Sequence, residues 1–358
     1  MGLGSRETGV SARKLPFVFW VVLHLKHGTT FARETDLPSL IATHWAHEII
    51  VSHPLEPLTM TLVIAGHDIK IDNARPGYVG TVQGLFVTAD STITDGRQTL
   101  LSGFKKIYQV PIKVYRPSFT GAHFQDYFSP RLETSCFIAF AGSTITAQHV
   151  LNGINNHLSL LRYGHEGSGP GIPGTYQILM DCERNSLRDG NIQWAEDMFL
   201  DTDMEELLTG DVVARVVLHS IQCALGSAKR HKIDQRGWDS LLTQYVIGTY
   251  CEKEKRNRLF TVIPSHRRVA GVIVDVDVTL HEVPPGELVV LGMRQYEAGA
   301  ATAYNLALES RGDVKRAMFE FLNGAIDEVL QKDTREIDRP AILKAFSKGD
   351  LVELDRRS

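Results

Sequence analysis

An acid and a lysine stand sixteen residues apart in the stretch Gly84 to Ile107, GLFVTADSTITDGRQTLLSGFKKI. The apolar run Leu85-Phe86-Val87 reads as a buried strand that delivers Asp90 at its end. Small hydroxyl residues follow (Ser91, Thr92, Thr94), then Asp95-Gly96, a turn signal. Lys106 opens a Lys-Ile-Tyr run that starts the next strand. Brought together in a β framework, an acid and a lysine can lower the lysine's proton affinity or hold it beside a nucleophile. Taken singly, Asp90 is a turn acid and Lys106 an exposed strand lysine.

A hydroxyl for such a lysine to serve stands upstream. Met60 is followed by Thr61 and then by the apolar strand Leu62-Val63-Ile64-Ala65-Gly66. Met-Thr is a pair from which an initiator methionine is readily removed, which leaves Thr61 as a free N-terminus. Thr59 is the alternative, and a strand period of two puts both on one face, so the pattern does not choose between them. Both also read as ordinary β-strand threonines. Further on, the strand Cys136 to Phe140 ends in Ala141-Gly142-Ser143-Thr144. There it meets a helix whose apolar residues, Ala147 to Leu161, recur with a 3.6-residue period. A strand–glycine–helix junction presents free backbone N–H groups, suited to a developing oxyanion. It serves equally as a helix cap with a tight glycine.

The segment Ala89-Asp90-Ser91-Thr92-Ile93-Thr94, with Lys106-Ile107 after it, resembles the proteasome β-subunit-like group of N-terminal-nucleophile (Ntn) hydrolases. The resemblance implies a threonine protease. Its nucleophile would be the hydroxyl of N-terminal Thr61, with that residue's own α-amine as base. It implies Asp90 and Lys106 as catalytic partners, Gly142 as the oxyanion-hole residue, and Thr94 as a residue near the substrate backbone. It also implies a homo-oligomer that takes peptide or protein substrates and needs no cofactor or metal. Energy for unfolding a substrate would come from an ATP-dependent unfoldase, since the chain carries no ATPase motif. Members place Gly-Ser-Gly after the strand before the third helix; here Leu291-Gly292-Met293-Arg294 stands there. That departure favours the alternative, a catalytically inactive scaffold or binding subunit.

The elements that must position these residues follow in order. Strands come first, then two helices (about 144–161 and 204–230), then strands at about 240–250, 257–263, 270–280 and 287–292, then helices at about 296–310 and 313–331. That order predicts an α+β fold, a four-layer α/β/β/α sandwich of two antiparallel sheets flanked by helices. Residues 1–59 read as an N-terminal extension, either a propeptide, a signal-like segment or sequence upstream of the true start. Residues 60–358 form the domain, with insertions at about 67–80, 111–134 and 164–203. Asp275 and Asp277 alternate with valines and share one face, a conceivable cation site on a solvated sheet. His44, His47 and Glu48 do not have the metalloprotease order.

Composition bounds the classes. A content of 43% apolar and 22% charged residues suits a globular chain, and a net charge of −4 gives no footprint for nucleic acid. The apolar run Leu15 to Leu25 is too short to span a membrane. Four cysteines, Cys136, Cys182, Cys223 and Cys251, lack CxxC spacing, which reads as reduced thiols in the cytoplasm and implies no zinc site.

Overall fold

Two sheets carry the chain. A computed structural model describes residues 61–71, 80–95, 98–166, 174–189, 198–332 and 336–358, all within the unit Leu55–Ser358. Thr59, Met60 and the His44–Glu48 group lie outside the described residues. The strands are β1 (Leu62–Lys70), β2 (Thr81–Asp90), β3 (Thr92–Asp95), β4 (Gln98–Ser102), β5 (Ile107–Thr120) and β6 (His123–Ala141). Helix α1 (Thr144–Leu158) follows, then β7 (Leu161–Glu166), β8 (Thr175–Leu179), the short α2 (Ser186–Asp189) and α3 (Asp201–Met204), and α4 (Gly210–Gly226). The chain continues with α5 (Gln235–Ser240), β9 (Gln244–Cys251), β10 (Arg256–Val269), β11 (Val272–Val283) and β12 (Leu288–Gly292). It closes with α6 (Glu297–Glu309), α7 (Val314–Gln331), β13 (Ala341–Ser347) and β14 (Asp350–Arg357). One sheet has the order β12-β1-β2-β13-β14, the other β11-β10-β9-β6-β5-β7-β8, and β3 and β4 form a separate ribbon. Every recorded pairing is antiparallel except that of β5 with β7.

Leu62 to Ala65 in β1 and Leu85 to Val87 in β2 are apolar without a break because both faces of the strands are covered there. The two-residue period sorts them. Leu62, Ile64 and Phe86 join Tyr304 of α6 and Met318, Phe319 and Leu322 of α7 in one cluster. Val63, Ala65, Leu85, Val87 and Ala89 join Phe137, Ala139 and Ala141 of β6 and Val246 of β9 in another. The opposite residues of β6, Cys136, Ile138 and Phe140, pack with Val150 and Ile154 of α1 and Val217 and Ile221 of α4. Helix ends are set by side chains: Ser143 caps α1 through Thr146 N–H, Thr209 caps α4 through Val212 N–H, and Asp313 caps α7.

Several local expectations change. The stretch 111–134, expected as an insertion, is strand on either side of a turn at 121–122 and belongs to the long hairpin of β5 and β6. Its alternation of polar and apolar residues is that of a ribbon with one wet face; Val114 is buried while Phe128 is exposed. Segment 164–203 includes half of β7 and all of β8. Helix α1 stops at Leu158, and Leu161 begins β7. Near the C-terminus the chain forms a hairpin of β13 and β14, and β13 lies directly against β2.

Candidate active site

Asp90 closes β2 opposite the start of β1. Its carboxylate is fully buried and fully employed. Oδ1 accepts from Leu62 N–H (3.0 Å). Oδ2 accepts from Lys106 Nζ (2.7 Å), Thr92 Oγ1 (2.8 Å) and Thr92 N–H (3.3 Å). A buried charge is tolerated only where such partners replace water. Lys106 stands one residue before β5, and its ammonium also donates to Thr61 Oγ1 at 3.0 Å. Thr61, Asp90 and Lys106 are all buried, with Thr61 5% exposed. Burial lowers the proton affinity of Lys106 below that of an ordinary lysine, and Asp90 opposes that shift through charge and hydrogen bond.

Thr61 is held from its other side by β12. Its carbonyl accepts from Met293 N–H at 3.0 Å. Gly292 takes a φ of +89°, and a Cβ there would lie 1.9 Å from Thr61 O. Only glycine permits that approach. Gly292 N–H in turn donates to Gln244 Oε1 (3.0 Å), at the start of β9. Gly142 belongs to the same corner: Ala141, just before it, pairs with Gln244, and the Ala141 side chain is 3.2 Å from the place a Gly292 Cβ would occupy. Gly142 itself has φ +132° and is pressed against Thr243, whose Oγ1 accepts from Ser143 N–H at 3.1 Å.

The fold therefore brings Thr61, Asp90 and Lys106 into one hydrogen-bonded set, with Gly142 beside it through Gly292. Thr94 lies on the β3–β4 ribbon, half-buried and paired with Thr99. Asp275 and Asp277 do share a face, but its cations are the protein's own: Lys229 meets Asp275 at 2.6 Å and Arg267 binds both acids. Thr92, Leu62 N–H, Met293 N–H and Gln244 went unpredicted. For Thr92 a signal existed, because a hydroxyl two residues after an aspartate tends to bond its carboxylate in a turn. The others act through backbone groups or across the sheets, where residue type carries no mark. A pocket of 120 Å³ opens behind the pair and is lined by Asp90, Lys105, Lys106, Lys344 and Arg356, so its rim is strongly cationic.

No family model matches the chain, and no curated protein matches it. Among solved structures it is similar to a Gly-1 mutant of Anbu from Hyphomicrobium sp. strain MC1, at 15% identity and a TM-score of 0.41. That likeness covers 83% of this chain and 86% of the other, and it is too loose to carry an argument. The expected place among proteasome β-subunit-like Ntn hydrolases is corrected accordingly. It rested on one short motif, Ala89 to Thr94 with Lys106-Ile107, which is too little sequence to define a family. Among the described residues no helix is long and apolar enough to cross a membrane.

Proposed function

We propose that the chain hydrolyses amide bonds, most simply those of peptides, with Thr61 Oγ as nucleophile once Thr61 becomes the N-terminal residue. The observation that carries this reading is Lys106 Nζ, buried and bonded at once to Thr61 Oγ1 and Asp90. A threonine hydroxyl needs a base within reach. A free α-amine has a pKa near ~8 and is partly neutral at pH 7. On the same residue as the hydroxyl, it is positioned by covalent geometry. It takes the hydroxyl proton as Oγ attacks the carbonyl carbon, and Lys106 supplies positive charge beside the forming bond. Gly142 N–H receives the oxyanion. Collapse expels the amine product with that proton and leaves an ester on Thr61, which water then hydrolyses. The clusters described above support the four-layer sandwich as the framework. The reading keeps its corollaries: a homo-oligomer, a separate ATP-dependent unfoldase for folded substrates, and a cytoplasmic setting.

A second reading, a non-catalytic binding subunit, is favoured by Met293-Arg294 in place of a serine next to Thr61. Intact-mass spectrometry separates the two. The enzyme reading expects a mature N-terminus at Thr61 and a covalent adduct with an electrophilic peptide. A longer or blocked N-terminus without adduct supports the binding subunit. Thr61→Ala should lower peptide hydrolysis by on the order of a thousandfold or more. Unchanged hydrolysis in that variant ends the mechanism.

A further inference from the structure

The four cysteines looked unrelated by spacing, yet folding collects two of them at one histidine. His219 and Cys223 lie four residues apart on α4 and so share a face. Cys182, in the turn after β8, reaches the same place. Its Sγ is 3.4 Å from His219 Nε2, and Cys223 Sγ is also 3.4 Å from that nitrogen. His157, in the last turn of α1, brings its ring to 5.3 Å from the His219 ring. The donor atoms of His157, Cys182 and His219 all lie within 4.8 Å of one another. We propose that these three residues, with exposed Cys223 as the fourth donor, form a tetrahedral site for a thiophilic divalent cation, zinc above all.

Three arguments converge on this assignment. The first is distance. Tetrahedral zinc, with bonds of about 2.0–2.1 Å to nitrogen and about 2.3 Å to sulfur, separates those ligand atoms by roughly 3.6 Å. The two N···S separations at His219 are already close to that. The second is the donor set. Two imidazoles and two thiolates are soft enough to prefer zinc over magnesium or calcium, and two thiolates neutralise a dication. The third is the shell behind the donors. Ser220 donates its hydroxyl proton to Val216 O at 2.7 Å. Its oxygen, 2.8 Å from His157 Nδ1, is therefore left as an acceptor. That fixes the proton of His157 on Nδ1 and leaves Nε2 with a free lone pair, the tautomer a metal-binding imidazole needs. Cys182 and Cys223 are exposed, so an ion can enter from solvent. Bound there, it would tie α1, α4 and the turn after β8 together. The site involves none of the residues assigned to hydrolysis.

Cobalt titration of the full chain tests the proposal. After chelator treatment under reducing conditions, Co2+ should bind one equivalent. It should give the intense visible bands of tetrahedral cobalt and a sulfur-to-cobalt charge-transfer band, and Zn2+ should bleach both. Cys182→Ser should weaken zinc affinity by about a hundredfold or more, and Ser220→Ala by about tenfold. Cys223→Ser should keep a tetrahedral spectrum with reduced charge-transfer intensity. Because Cys182 is exposed, its serine variant should melt like the metal-free parent, which separates lost binding from lost fold. Weak octahedral cobalt bands, or an unchanged affinity in Cys182→Ser, would overturn the site.

Discussion

Lys106 donates to two acceptors, and the balance between its burial and Asp90 decides its charge. Burial pushes its proton affinity down, while Asp90 pushes it back up. Asp90→Asn removes the opposing influence, so the proton on Lys106 should be lost at lower pH than in the parent. If the protonated lysine assists Thr61, the alkaline limb of the pH–rate profile moves to lower pH in that variant. A limb that stays in place would mean that Lys106 charge does not enter the rate. At this scale the sequence was partly legible. Asp90 and Lys106 could be found because an acid at a strand end and a lysine at the next strand start are marked by residue type. Met293 could not, since it contributes only a backbone N–H to Thr61. Gln244 could not either, because its amide matters only through the glycine it orients across two strands.

Elements place these residues by close approach and by charge. β12 meets the head of β1 at Gly292, where no side chain fits. Gly292→Ala must displace Thr61 and adopt a strained φ, at a cost of about 1–3 kcal/mol. The variant should fold with a lowered melting temperature and fail to form the covalent adduct; normal adduct formation would show that the fit at this crossing is not needed. On the other sheet, the buried guanidinium of Arg258 on β10 holds Asp211 of α4 (2.7 and 2.9 Å) and Glu282 of β11 (2.8 and 2.6 Å). Arg258→Ala leaves both acids without their shared cation but within reach of water, and should cost about 1–2 kcal/mol in denaturant unfolding. Helix α1 was legible from its 3.6-residue period. The β5–β6 hairpin was less so, because its wet face breaks the apolar run that marks a buried strand. The metal-ligating set was hidden altogether, since its members come from α1, a turn and α4.

Across the whole molecule, His67 contributes to the acid response. It lies buried on β1, its Nδ1 has no hydrogen-bond partner among the described residues, and its carbonyl accepts from Tyr304 of α6. Burial, and then the charge of Arg256, lower its pKa from 6.5 to about 4. Between those values the unfolded chain takes up a proton that the folded chain refuses. Stability therefore falls as pH drops from about 6.5 to about 4, by at most ~1.4 kcal/mol per pH unit. His67→Gln should flatten that acid limb in melting temperature measured against pH; an unaltered slope would assign acid sensitivity to other groups. The sheet-and-helix order was legible because the strands next to the helices are apolar on both faces. The pairing of β13 with β2 was not, since nothing in either strand names its neighbour. One consequence reaches back to the fixing of Thr61 by Lys106 at its hydroxyl and by Met293 at its carbonyl. Neither anchor uses the nitrogen that joins it to Met60, so both exist in the uncut polypeptide. Maturation would then be a single bond scission at Thr61 that leaves both anchors in place, and reactivity toward an electrophile should switch on with it.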